Sequence, residues 1–327
     1  MTLPRSGSRN PVAPIIDTLI AGFANDSQDF IAEDVLPAVD TRGLDTGRFF
    51  EWGAQAFFGD PDKTHLRAPG ANYDRHPGSD ITNTQFTCLE YGLEIALDDE
   101  SLDSSDPVLR AELKASELFM IDQALRIRQE LRTMTLLTTT GNWTNSTTLA
   151  GNAQWSASAS NPVGDINTAV DTVRSYGPRA SVAVCGYATA RDLTENVSIL
   201  SYLGHHQDRN QMSFPELKAF FASHWGLTLH IGQASRSTGS LAPGGAATMA
   251  DIWPDSMFIG RISTMAIPTS GGMRLQPTAA VRAVRTPMTR EEYRDEGVRG
   301  LVMRQRHKED ELVFQAEMGY VIADTAA

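Results

Sequence analysis

A chain of 327 residues has room for two domains or one elaborate one, each with a core of ordinary size. Its 28 basic residues stand against 40 acidic ones, and the net charge of −12 excludes broad gripping of nucleic acid, which needs a basic face. A protein that lies near DNA without holding it stays compatible with that balance. Lysine occurs only at 63, 114, 218 and 308, and the remaining cations are arginines. Arginine favours planar, bidentate pairing with carboxylates, so the bias suits interfaces built from ion pairs, although genome composition would produce it too. Cys88 and Cys185 have neither metal-ligand spacing nor a CxxC pattern and read as free thiols of a reducing compartment. The first residues hold no apolar signal core, and no run of about 18 apolar residues occurs, so a soluble, intracellular protein with no membrane partner is expected. The sequons at Asn142 and Asn145 are then chance matches.

In chain order, residues 1–39 form a proline-punctuated leader with short helical segments expected near 15–23 and 30–36. Nothing there suggests an independent core, and an arm lying on another subunit is its natural role. The run 47–52 is a strand candidate. After it comes a long connection rich in turn formers, through Gly59, Pro61, Pro69, Gly70, Pro77 and Gly78. Connections of that length are functional or disordered more often than not, and Trp52, Phe57, Phe58 and Tyr73 argue against simple disorder. An extended flap that packs its aromatics on a neighbour explains both features.

Residues 85–97 alternate apolar and polar in the pattern of a half-buried strand, with Leu89, Tyr91, Leu93, Ile95 and Leu97 on one face. Asp98, Asp99, Glu100 and Asp103 then read as a solvated turn, with a metal site as the alternative. From 106 to 140 no Gly or Pro interrupts the chain after Pro107. Leu109, Leu113, Met120, Ala124, Ile127, Leu131 and Met134 recur at steps of three and four with Ser116 as the one polar member of the row, widened by Leu118, Ile121 and Leu125. The acids Glu112, Glu117 and Asp122 precede Arg126, Arg128 and Arg132, as the helix dipole prefers. This predicts a helix roughly 50 Å long, a strut for the rest of the fold.

A Gly/Ser/Thr/Asn-rich bridge over 141–162 holds Trp143 and Trp155 and looks like a boundary. Beyond it, helices are expected at 165–176, 187–196 and 215–225, with strands at 181–185, 227–231 and 256–262, which together imply a small layered α/β domain. The stretch 232–254 reads as a small-residue loop. From 273 the chain becomes β-rich, with 298–306 expected to pair through a turn at Lys308-Glu309-Asp310 with one closing strand carrying Leu312, Phe314, Ala316, Met318, Tyr320 and Ile322. The run 290–296 is expected to be a charged, solvated or interfacial turn.

Chemistry is scarce. There is no GxSxG, GxGxxG or HExxH, and the 232–239 loop lacks the Lys of a phosphate loop. His205 and His206 are adjacent, and neighbours at i and i+1 point apart, so they are poor joint ligands. No catalytic, cofactor or metal residue is assigned, no cofactor is expected, and the chain is not read as an enzyme.

The order of parts resembles the tailed-phage major capsid protein, the Hong Kong ninety-seven-type fold shared with bacterial encapsulins. The resemblance rests on the arm, a flap containing Arg67-Ala68-Pro69-Gly70, the strand 91–97, the acidic turn, the long helix and a small α/β domain. Phrases such as Gly141-Asn142-Trp143, Gln154-Trp155-Ser156, Asn161-Pro162-Val163 and Asp251-Ile252-Trp253 are similar to capsid sequences as well. What it implies is an α+β capsid fold: N-terminal arm 1–39, extended E-loop 40–80, and a peripheral domain 81–159 with spine helix 106–140. An axial domain over 160–262 follows, then peripheral strands and a return strand over 263–327. The function implied is a structural protein that self-assembles into hexamers and pentamers of an icosahedral shell around double-stranded DNA. Its partners would be copies of itself, with scaffold, portal and decoration proteins, and DNA enclosed without sequence-specific binding, in a virion capsid assembled in the host cytoplasm. Phe49, Trp52, Phe57, Arg67 and Tyr73 are the expected flap contacts, assigned by region. Some capsid relatives crosslink a flap lysine to an asparagine in the peripheral domain. Lys63 lies in the flap here, but no Asn follows Asn210, so no such crosslink is expected. No long scaffolding segment precedes the arm, which implies a separate scaffold or a removed segment. An encapsulin-like compartment and an α/β enzyme with its site around 232–254 remain as alternatives.

Overall fold

The computed structural model describes residues 24–52, 66–67, 69–70, 72, 81–99, 107–202, 211–239, 248–263, 266–269, 272–275, 277–297 and 299–326. The helix expected near 15–23 and the pair His205-His206 lie outside them. The described part of the leader ends in one short turn of helix, α1 (Ala32–Val35), and a three-residue strand, β1 (Ala38–Asp40). Next come β2 (Thr46–Trp52) and its antiparallel partner β3 (Ile81–Thr87), which form the root of the flap. The single strand expected over 85–97 is divided. Cys88 breaks it, so that β3 belongs to the flap hairpin while β4 (Leu89–Asp98) joins a different sheet.

The long helix α2 runs from Pro107 to Thr138, 32 residues, or about 48 Å at the usual rise. It stops where side chains take over its last carbonyls. Thr135, Thr138 and Thr139 hydroxyls bond carbonyls one turn back, and Asn142 Nδ2 and Trp143 Nε1 donate to Leu136 and Leu137 O, each at 2.9 Å. Its buried ridge differs from the expected one. Ile121, Leu125, Gln129, Thr133 and Leu137 are buried at steps of four, beside Glu130, whereas Ile127, Leu131 and Met134 are half-buried and Met120 is exposed. Ile121 and Leu125, expected to widen the stripe, are thus on the ridge, and Ile127, Leu131 and Met134 pack against the core beside it; the polar Gln129, Glu130 and Thr133 are what an apolar count leaves out.

The bridge after α2 contains a strand, β5 (Asn145–Thr148), which the polar composition concealed. The layered unit follows with α3 (Pro162–Ser175), β6 (Val182–Gly186), α4 (Tyr187–Glu195), α5 (Val197–Tyr202), α6 (Phe214–His224) and β7 (Thr228–Gly232). Local signals set its helix starts. Asn161 Oδ1 accepts from Gly164 N ahead of Pro162, and Ser213 and Glu216 form a reciprocal capping box. A small hairpin, β8 (Ser235–Ser237) with β9 (Met249–Asp251), leads into β10 (Ser256–Gly260).

The late strands are β11 (Ala266–Thr269) with β12 (Gly272–Leu275), then β13 (Ala280–Asp295), β14 (Gly300–Val313) and β15 (Gly319–Ala323). Two expectations fail here. Lys308-Glu309-Asp310 is mid-strand in β14, and the run 290–296 lies mostly within β13, antiparallel to it. The expected closing strand is also two elements, because the chain leaves β14 at Val313, turns through Ala316–Met318 and starts β15 in another sheet. Charged runs resemble turns in a sequence because turns are where charge is cheapest; cross-strand pairing with opposite charges lets β13 and β14 carry the same residues.

The strands form two main sheets. The first has the order β1-β13-β14-β4, and α2 lies across it. The second has the order β5-β15-β10-β6-β7 and is buried on both faces. Ala183, Cys185, Met257, Ile259, Tyr320 and Ile322 face α3, α4 and α6 in a large apolar core. Their alternates Val182, Val184, Phe258 and Val321 face the end of α2 and the arm, with Ile31, Leu36, Leu137 and Trp143. Period-2 alternation thus serves two cores, so β6 and β10 read as unbroken apolar runs.

Glu130 joins the parts. Its carboxylate, inside the protein, accepts from Ile31 N at 3.1 Å, Ala32 N at 2.9 Å and the Trp253 indole at 2.6 Å. Trp253 in turn fills the space over Gly232, where a Cβ would come within 2.0 Å of its ring. The small-residue loop suspected of phosphate binding therefore opens on a glycine needed for packing. Burial pushes the Glu130 carboxyl up, opposed by those three donors.

Candidate assembly surface

The flap root is fixed to its own chain before it can reach any other. Phe86 folds over Gly47, where a Cβ would sit 2.6 Å from the Phe86 ring. Phe49 stacks against Phe86 with centroids 4.9 Å apart, and meets Phe314 edge-on at 6.1 Å. Asp45 is clamped by Arg285 and by Lys308 Nζ at 2.5 Å, and Asp310 accepts from Thr87 N at 2.8 Å. The Lys308 hydrogen bond, with help from Arg285, outweighs partial burial and holds the Asp45 carboxyl below its usual range.

Of the expected flap residues, Phe49 is half-buried against its own sheet. Trp52 ends β2, and Arg67 is exposed. Phe57 and Tyr73 lie outside the described residues. Strand alternation places Phe50 on the opposite face from Phe49, and Phe50 is 57% exposed. Leu44 at the hairpin base and Leu66 are exposed too. The sequence signal for Phe50 was present in the Phe49-Phe50 doublet, but only the sheet decides which of two adjacent rings is free.

The outward face of the first sheet is a ladder of arginine and carboxylate. Arg304 bonds Glu94 at 2.9 Å and lies over the Tyr293 ring; Arg306 bridges Glu291 at 2.6 Å and Glu90 at 3.0 Å; Arg294 pairs with Asp99 at 2.6 Å and Glu296 at 2.9 Å. The Arg306 hydrogen bond draws Glu291 below its ordinary value, and the paired guanidiniums are held above theirs. Asp98 and Asp99, weighed as metal ligands, end β4 and pair with Arg294 respectively. Glu100 and Asp103 lie outside the described residues. Among the described residues no three His, Cys, Asp or Glu side chains gather as a metal site, and no helix is long and apolar enough to cross a membrane. Both cysteines are buried and unpaired, and burial pushes the Cys185 thiol up to about 12.

The inward face of β14 is equally polar. Gln305, His307 and Glu309 are buried beneath α2, where a sandwich core would have Leu or Val. Gln305 Nε2 donates to Asp122 at 2.6 Å, Arg132 pairs with Glu309, and Thr133 Oγ1 donates to Glu311 at 3.0 Å. Arg282 links Glu309 at 3.3 Å to Glu33 of α1 at 3.2 Å and donates from Nε to Leu36 O at 3.0 Å. Helix, sheet and arm are thus joined by ion pairs.

No family model matches the chain, and no curated protein matches it. Solved structures do. A phage-related protein from Bordetella bronchiseptica RB50 superimposes with a TM-score of 0.65 at 15% identity, over 95% of this chain and 96% of that one. The mature capsid of bacteriophage PhiM1 gives 0.57 at 13% identity, over 92% and 88%. The capsid of cyanophage P-SCSP1u gives 0.56 at 9% identity, over 93% and 91%. The fold is the tailed-phage capsid fold. The described layout is one long helix against a sheet, a layered unit around a second sheet, and the β2–β3 pair. At such low identity the likeness concerns the path of the backbone. The ion pairs and ring contacts above belong to this chain.

Proposed function

We propose that this chain is a structural major capsid protein whose activity is self-assembly into hexamers and pentamers of an icosahedral shell enclosing double-stranded DNA. The observation that carries this reading is the end-to-end likeness to the PhiM1 mature capsid, over 92% of one chain and 88% of the other. Charge supports it, since a container with net charge −12 does not cling to the polymer it encloses. Many modest repeated contacts suffice, because a closed shell multiplies them. The flap residues Trp52, Phe57, Arg67 and Tyr73, with Phe50 added from its exposure, make those contacts with a neighbouring copy, while Phe49 holds the flap root.

Negative-stain microscopy of the expressed protein is expected to show closed shells; a monomer at all concentrations would refute the proposal. Trp52→Ala and Phe50→Ala should lower particle yield at an unchanged denaturation midpoint, and wild-type yield in both would remove the flap from the interface. Nucleic acid inside purified particles separates a virion shell from a compartment for protein cargo. Denaturing gels should show single chains, without a ladder of crosslinked subunits.

A further inference from the structure

The buried cluster between α2 and β14 shares its cations unevenly between two glutamates. Glu309 and Glu311 stand on the same face of β14, with side chains 3% and 4% exposed. Glu309 holds three partners: Arg132, Arg282 at 3.3 Å and His307 Nε2 at 3.1 Å. His307 Nε2 stands between the Glu309 carboxylate and the Arg132 guanidinium, 3.2 Å from the latter, and its tautomer sets whether it donates to the first or accepts from the second. Glu311 receives one hydroxyl, from Thr133, and Arg132 Nε stays 3.8 Å away. Arg132 Nη1, His307 Nδ1 and Glu311 Oε1 are buried without a hydrogen-bond partner, all three in this cluster.

The charged groups facing Glu311 are Arg132 from α2, Arg282 from β13, and Glu309 and His307 from β14, with Glu33 of α1 reached through Arg282. Two buried carboxylates, Glu309 and Glu311, meet two guanidiniums, while Glu33 is 56% exposed to water. Both guanidiniums pair with Glu309, and Glu311 is the carboxylate that they leave underserved.

We propose that this cluster is a proton-operated clasp, in which protonated Glu311 fastens the middle of α2 to the peripheral sheet and loss of that proton loosens the joint. The two glutamates diverge in the sense the clasp needs. Burial alone would raise Glu309, but the His307 hydrogen bond and the surrounding cations overcome it and hold Glu309 low. Burial pushes Glu311 up to about 7, with Arg132 opposing and Glu309 adding to the rise. A carboxyl whose value is raised on closing binds its proton more tightly closed than open. Its contribution is therefore complete below the open-state value of 4.5 and is lost as pH rises through about 7.

Hydrogen exchange on the full chain, read in peptides covering 125–137 and corrected for intrinsic rates, tests this without reference to shell assembly. The opening constant should rise about tenfold per pH unit between about 5 and 7, then level off. Glu311→Gln keeps the neutral shape without a titrating proton and should abolish that slope. A flat wild-type profile, or an equally steep one in Glu311→Gln, would overturn the clasp. Isotope-edited infrared titration gives a second test. A protonated glutamate band that persists above pH 6 in the wild type and is missing from Glu311→Gln supports the clasp, Glu130 being raised as well; loss of all such bands by pH 5.5, or a band unchanged in the variant, overturns it.

Discussion

The two main sheets of this protein are held by opposite means. The layered sheet around β6 and β10 is a double-faced apolar core, with Ile166, Leu193, Phe221, Phe258 and Met257 all below 2% exposed. The sheet under α2 buries Gln305, His307, Glu309 and Arg282 and connects to the helix through charge-assisted hydrogen bonds. Apolar packing is indifferent to angle and tolerates no water; ion pairs demand direction and respond to pH and salt. The first kind of joint makes a rigid block. The second sets polar and charged groups beside Ile121, Leu125, Val302 and Met303, so its strength varies with pH and salt where that of the first does not.

The contrast can be broken most forcefully in the apolar block. Phe221→Ala is expected to cost about 3–5 kcal/mol, read from chemical denaturation, at any pH between 5 and 8. Glu309→Ala removes the shared partner of Arg132 and Arg282 and should cost about 3 kcal/mol, because it leaves the two cations with a poorly placed Glu311 and the solvent-exposed Glu33. That loss should be smaller at pH 8 than at pH 5, since an ionised Glu311 then replaces the missing charge. Glu311→Met tests the opposite direction. It removes a half-satisfied buried carboxyl and at pH 5, where Glu311 is neutral, should change stability by less than about 1 kcal/mol, with the variant becoming the more stable of the two at pH 8; any polar substitution at Phe221 would be far more costly. Arg306→Ala on the outward ladder should cost about 0.2–1 kcal/mol, and high salt should erase the difference, since those pairs are in contact with water. Finally, Cys185 and Cys88 should resist alkylation in the native protein and react on unfolding, because both are buried and burial pushes both thiols up.

The same contrast explains which parts could be read early. Where burial is apolar, periodicity found the elements: α3, β6, α4, α6, β7 and β10 appear within a few residues of where they were expected. Where burial is ionic, periodicity misled. It found Ile121 and Leu125 of α2 but left out Gln129, Glu130 and Thr133, which face inward with them, and the charges of Lys308-Glu309-Asp310 made a strand look like a turn. The flap was visible as an aromatic, turn-rich stretch, yet Phe49 and Phe50 could not be assigned to opposite roles without the β2–β3 register.

By itself the sequence determined the long helix, the layered unit and the flap root, because caps, proline positions and apolar spacing act over a few residues and need no partner to be recognised. Only the tertiary structure decided that β3 and β4 part at Cys88, that β15 returns to the layered sheet beside β5 and β10, and that a row of charges is an interior. Those outcomes depend on what lies opposite: a charge is affordable inside when its counter-charge arrives from residues about 175 positions away, and nothing local announces that meeting.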